Sequence, residues 1–239
     1  MRRRDLYAAF LIVLMMVVCK KDNGTSPTQP AEYTFTFDFS QGEEGWTAGF
    51  ADYPVGEEAF HELSSERSNL PEPLDQNIHA MMISGNNHSD DLFMFLKKHI
   101  TGVEPSTMYR VVIRVEVASQ YPESAMGVGG GPGCSVWVKV GGDQTEPLPV
   151  VQGGFYRMNI DKGNQAGGGE DMAMVGSIGI AGDDFVYTLI QRDNEDQPIQ
   201  VQSNGNGELW LIVGTDSGFE ATTTIYYNTI DVQIYEADA

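Results

Sequence analysis

Three observations predict an all-β protein, a sandwich or a barrel. Apolar and polar residues alternate with a period of two in several stretches, most clearly Tyr109, Val111, Ile113, Val115 and Val117 against Arg110, Arg114 and Glu116. Loops rich in Gly, Asn and Asp separate these stretches at short intervals. No amphipathic helical stretch of convincing length and no internal repeat competes with that pattern.

Residues 1–19 stand apart from the β pattern. Arg2, Arg3 and Arg4 precede a charge-free run from Leu6 to Val18, the make-up of an export signal and short for a membrane span. Cys19 closes the run, and "MVVCKKDNGTSPTQP" resembles a bacterial lipoprotein signal, which implies that Cys19 is acylated and becomes the first residue of the mature chain. Val18 stands where that family prefers Gly, Ala or Ser, so an uncleaved anchor or a non-lipidated export signal is the alternative. Residues 20–31 are rich in Lys, Asp, Asn, Ser, Thr and Pro and are expected to form a flexible tether. Residues 32–239 then make a single domain. With Cys19 lipidated, Cys134 has no partner for an internal disulfide, and stability must come from burial. The implied address is the cell envelope, periplasmic or surface-exposed, with the membrane met only through the lipid.

Within the domain, Tyr33, Phe35, Phe37 and Phe39 alternate with Thr34, Thr36 and Asp38 and predict a half-buried strand. From Ala48 to Leu74 the pattern is irregular and predicts a long surface excursion with one short strand at most, before Ile78–Ile83 resumes as a strand. In "SGNNHSDDLFMFLKKHI" a helix capped by Ser89 is conceivable. A strand from Leu92 fits better: apolar residues on both parities suit a strand covered on both faces, and "GVEPSTMY" would stop a helix early. Further strands are expected in "SVWVKV", "DMAMVGSIGIAG", "FVYTLIQ", "ELWLIVG" and "TTIYYNTIDVQIYE". Alternation places Asn228 inward beside Tyr226, Ile230, Val232 and Ile234, as a satisfied buried amide. Trp137 and Trp210 hold the parity opposite to the neighbouring Val and Leu residues. They are either core or, if those aliphatics face inward, outward and able to stack on sugar rings.

The order of these motifs, "FTFDFSQGEEGW", "LKKHITGVEPSTMYRVVIRVEV" and the final "TTIYYNTIDVQIYE", resembles the galactose-binding-like jelly rolls common among carbohydrate-binding modules. The resemblance covers residues 32–236 and implies an antiparallel two-sheet β-sandwich, a jelly roll. It also implies a calcium ion at one end, held by an acid after the first aromatic strand and an aspartate on the last. Ser40, Asn228 and Thr229 occupy those places here.

The chain carries 14 Lys and Arg against 34 Asp and Glu, a net charge of −20. Such a surface repels phosphate backbones, so no nucleic-acid partner is expected; cations and neutral polar ligands stay open. Three polar constellations are candidate sites. The first is Asn86, Asn87, His88, Asp90 and Asp91, which offers donors and acceptors for sugar hydroxyls or oxygens for a hard cation. The second is the glycine-rich segment 157–172, with Arg157, Asn159 and Asp161, and the third is Asp216 in the polar loop 214–220. Each has a plainer reading as turn, flexible loop or hairpin. "GVGGGPG" lacks the Lys-Ser/Thr ending and the following helix of a phosphate loop and is read as a turn or bulge. Nucleophilic triads and zinc sites find no motif support. The sequence thus predicts an exported, lipid-anchored sandwich that binds a polar ligand, a carbohydrate in the first instance, through loops at one end. Calcium is the only cofactor the acids suggest, and no catalytic residue is assigned. The rivals are a glycan hydrolase with paired carboxylates and a non-catalytic surface scaffold or adhesion domain.

Overall fold

The computed structural model describes residues 32–88 and 90–237; the signal, the tether, Cys19 and Ser89 lie outside them. Regular structure among the described residues is entirely β. In chain order the strands are β1 (Tyr33–Asp38), β2 (Thr47–Ala51), β3 (Tyr53–Pro54), β4 (Ser64–Asn69), β5 (His79–Asn86), β6 (Leu92–Thr101), β7 (Met108–Ser119) and β8 (Val136–Asp143). They continue as β9 (Pro149–Gln152), β10 (Phe155–Met158), β11 (Met172–Ser177), β12 (Thr188–Asp193), β13 (Ile199–Gln202), β14 (Glu208–Ser217) and β15 (Thr222–Glu236).

Two antiparallel sheets face one another, as expected for the sandwich. One runs β12, β7, β15, β5, β4, with β1 also on β15 and β13 also on β7; the other runs β11, β8, β14, β6, β2. Alternation drives the packing. Tyr109, Val111, Ile113, Val115 and Val117 of the first sheet meet Leu92, Met94, Leu96, Val136, Val138, Val140, Leu209, Leu211 and Val213 of the second. A fully buried aliphatic of this kind contributes about 1.5–3 kcal/mol, so this face alone can sustain a fold without a disulfide.

The five-stranded sheet is covered on its other face too. A small third sheet, β3, β10, β9, and the chain after it lie over this face. There Ala51, Phe93, Phe95, Ile160, Met172 and Ile212 form a second apolar cluster. This explains "LFMFL": Leu92, Met94 and Leu96 point into the main core, Phe93 and Phe95 into the outer cluster, and all five are buried. Gly49 lies against the Phe95 ring and Gly214 against the Phe93 ring, in spaces that a Cβ would fill.

Several expectations need correction. The excursion from Ala48 to Leu74 contains β2, β3 and β4, and β2 completes an edge of the main sheet. Its polar, glycine-bearing sequence hid the strand because β2 pairs with β6 through its backbone. Likewise Arg157 sits on β10 and Asp216 on β14, not in loops. Asn228 does not lie inward beside Ile230, Val232 and Ile234 as alternation implied, and Tyr226 faces away from that core too. A register shift between Tyr227 and Thr229 breaks the parity, and half-buried Asn228 donates from Nδ2 to Glu116 (2.7 Å). The two indoles are settled by the valines and leucines facing inward. Trp137 and Trp210 lie half-buried on the outer face, and Trp210 stacks on His99 at 4.6 Å.

Candidate functional site

The end of β2 opens the site. Asp52 adopts a left-handed backbone (φ 65°), donates its N–H to Tyr156 O (2.6 Å) and turns its carboxylate under the third sheet. There it meets five other charged groups from separate parts of the chain. Asp52 Oδ1 accepts from Arg157 Nη1 at 2.7 Å on β10, and Asp52 Oδ2 lies 2.9 Å from Lys162 Nζ. Lys162 also reaches Asp216 Oδ2 (2.8 Å) on β14, an oxygen shared with Lys139 Nζ (2.8 Å) on β8 and with the Gln165 N–H (2.8 Å). Arg157 Nη1 is 3.3 Å from Asp91 Oδ2 just before β6, and Asp91, Asp52 and Asp216 bring carboxylate oxygens within 4.8 Å of one another.

Burial makes this network consequential. The side chains of Lys139 and Asp216 are wholly enclosed, and the charges survive there because each is paired. The Lys139 ammonium spends its donors on Asp216, Lys162 O and Gly167 O, the last two at 2.8 Å, while burial still presses its pKa downward against the pull of Asp216. Burial also works against a charge on Lys162, but Asp216 and Asp52 outweigh it and raise its pKa. Asp216 shows the converse: the two lysines overcome burial and hold the carboxyl below its usual range. Asp91 is the exception. Burial, then the charges of Asp52 and Asp216, push its pKa up to about 7.

Above the network is an open cleft of about 400 Å³, lined by Asp52, Asp91, Gln152, Arg157, Met158, Ile160, Asp161, Lys162, Gly163 and Asn164. Asp161 stays ionised because its carboxylate accepts the N–H groups of Glu170 and Gly163. Next in sequence to Asp52 and Arg157, Tyr53 and Tyr156 pack together, with Tyr53 also on His61, and His88 stacks on Phe60 at 4.1 Å. The Phe60 ring remains 58% exposed.

Among the residues picked from sequence, the structure thus gathers Asp91, Arg157, Asp161 and Asp216. Asp90 is tied in through its carbonyl, which accepts from Gln165 Nε2 (3.0 Å). The others serve elsewhere. Asn86 pairs with Thr222 at the end of β5, and buried Asn87 donates to Ser217 O and Phe219 O. Asn159 holds the turn before β9 by accepting from Leu148 N–H and donating to Glu146 O. His88 faces the Phe60 ring. Sequence reasoning overlooked Asp52, Lys139 and, as a site residue, Lys162. Lys139 did leave a trace, since it interrupts "VWVKV" at outward parity, but without knowledge of the third layer an outward lysine reads as solvated.

The aspartates Asp52, Asp91 and Asp216 bring carboxylate oxygens within 4.8 Å of one another, the spacing of a cation site. Calcium takes six to eight oxygens at a site with negative charge to spare. Here Arg157, Lys139 and Lys162 already neutralise these oxygens, so a divalent ion would have to displace buried ammonium groups. The donor set does not fit calcium.

No protein-family model and no curated protein sequence matches this chain. Solved structures do resemble it in fold. One is a promiscuous carbohydrate-binding module of the β-sandwich superfamily, at 11% identity and TM-score 0.38, covering 84% of this chain; this chain spans 61% of that one. Another is a carbohydrate-binding module in complex with β-1,4-galactotriose, at 9% identity and TM-score 0.37, covering 84% of this chain and 94% of that one. The family 11 carbohydrate-binding module of a Clostridium thermocellum cellulosomal cellulase gives 9% identity and TM-score 0.39, over 86% and 95% of the two chains. None of these likenesses assigns a site or a ligand to this chain.

Proposed function

We propose that this protein is an exported, lipid-anchored β-sandwich that binds a neutral polar ligand, a carbohydrate, in the cleft between Asp91, Arg157 and Asp161. The observation that carries the reading is the convergence of charged and amide side chains around an open cleft whose charges cancel. Asp52, Asp161 and Asp216 are matched in number by Lys139, Lys162 and Arg157, while burial beside Asp52 and Asp216 raises the pKa of Asp91. A site with its charges so largely paired has little net pull on a phosphate or a metal ion. It does offer paired donors and acceptors, which suit vicinal hydroxyls, and the apolar flanks of Met158 and Ile160 suit the C–H faces of a sugar ring.

The hydrolase alternative fits less well. Paired-carboxylate chemistry needs both acids at the substrate, whereas Asp52 and Asp216 are 4% and 0% exposed and pinned by cations; of the three clustered carboxylates, Asp91 is the most exposed, at 22%. A glycan array probed with the detergent-solubilised full chain tests the reading. Retention of a neutral glycan by the parent and by Trp137→Ala, with loss in Arg157→Ala, is the expected result. No sugar retained by the parent defeats it. Anchoring rests on "MVVCKK" and is tested by metabolic palmitate labelling, expected in the parent and absent from Cys19→Ser.

A further inference from the structure

His61 is wholly enclosed, yet one of its two ring nitrogens has nothing to bind. The turn 57–62 sets the ring: the Glu57 carbonyl accepts the His61 N–H (3.0 Å) and also meets Nδ1 at 3.1 Å. A carbonyl oxygen only accepts, so Nδ1 carries the proton and Nε2 carries the lone pair. Nε2 is buried and no protein donor reaches it. Buried acceptors in native folds have partners, and an exception points to a group that the chain itself does not supply.

Three aromatic rings pack around His61, with ring centres at 5.4 Å (Tyr53), 5.7 Å (Phe60) and 5.6 Å (His88). Of these, only His88 brings a second imidazole. Its plane stands at 76° to that of His61, and it lies exposed against the Phe60 ring, stacked at 4.1 Å. The backbone fixes this meeting. His61 O accepts the Asn86 N–H (2.7 Å), which ties the turn to the end of β5, and buried Asn87 anchors the residue before His88 to Ser217 O and Phe219 O. The local charge is negative: residues 55–66 include Glu57, Glu58, Glu62 and Glu66 with neither Lys nor Arg, and Asp90 follows His88. The aspartate cluster differs, because Lys139, Lys162 and Arg157 already occupy its oxygens.

We propose that His61 and His88 form a binding site for a divalent transition-metal ion of the imidazole-preferring kind, represented by zinc, with water in the remaining coordination positions. A zinc–nitrogen bond is about 2.0–2.1 Å, so one ion shared by two imidazoles holds the ring centres roughly 5 Å apart. The observed 5.6 Å is near that spacing, and the surface position of His88 lets its ring turn to close the difference. The Glu57 carbonyl behind Nδ1 is the outer support that orients a metal-bound histidine and leaves Nε2 to the ion. Calcium and magnesium, which take oxygen ligands, do not match this donor set. The site is independent of the carbohydrate reading, and its tests involve no sugar.

Nitrogen-15 NMR of the imidazoles in the untagged full chain in detergent supplies the test, with zinc as the probe. The chain carries Cys134→Ser to remove a competing exposed thiol. Metal-free protein should show His61 protonated at Nδ1; protonation at Nε2 overturns the proposal. Added zinc should move His61 Nε2 and one nitrogen of His88 together, saturating at one ion per chain. No zinc-dependent change at His61 defeats the site. His88→Ala alters an exposed side chain and so is the deciding variant even if His61 variants misfold. Its zinc affinity, read at the His61 resonance, should fall at least about tenfold, the loss that follows even when an outer support is removed. Affinity undiminished in His88→Ala overturns the proposal. Zinc should also raise the melting temperature of the parent more than that of His88→Ala, and an equal rise in both counts against the pair.

Discussion

Lys139 and Asp216 show what a single buried charge can demand. Neither side chain touches solvent, and the Lys139 ammonium and Asp216 Oδ2 are engaged as they are because the 162–167 backbone folds down to supply acceptors and an N–H. Asp216→Ala leaves two ammonium groups with too little compensation. Breaking a buried pair in this way costs about 3–5 kcal/mol, which urea unfolding at neutral pH should report. A smaller loss is expected from Asn87→Ala. Its side-chain amide caps two carbonyls at and just past the end of β14, so denaturant midpoints should register about 1–3 kcal/mol for the orphaned acceptors. These two residues also mark how far sequence could reach. Asp216 was visible as a polar candidate, but its burial depends on Lys139 and Lys162, and nothing local to "GTDSGFE" encodes those partners. Asn87 lay in a polar run whose members looked equivalent, and only the register of β5 with β15 separates it from its neighbours.

At the level of elements, β6 was the most legible part of the chain. Two apolar parities in five successive residues imply cover on both faces, and both covers exist. What provides the outer cover was not legible. β9 and β10 are four residues each, β3 is two, and their sequences lack sustained alternation because they form a small, half-exposed sheet. Arg157 was recognised as polar while its strand was not. Packing at the outer face leads to a further expectation. Phe95→Ala should cost about 3–5 kcal/mol, and Gly49→Ala, which drives a methyl into the Phe95 ring, about 1–3 kcal/mol, both read from thermal or chemical unfolding. If Phe95→Ala proves as mild as a surface change, the third layer does not seal that face.

At the scale of the whole molecule, no covalent staple joins the described residues. Cys134 is free and exposed. Melting temperature should therefore be unchanged by reductant, and a native thiol assay on the mature protein should count one reactive group if lipid blocks Cys19. Two reactive thiols would count against the anchor. The sandwich itself was readable because alternation and turn punctuation are local, whereas the ionic cluster is assembled from Asp52, Asp91, Lys139, Arg157, Lys162 and Asp216, residues spread over most of the described chain. That dispersal has a kinetic corollary. Contacts closing such long loops form after the strands that carry them have docked, so they should be absent from the folding transition state. Loss of Asp216 would then speed escape from the native basin while leaving the refolding limb of a chevron plot nearly untouched, making the cluster a brake on unfolding.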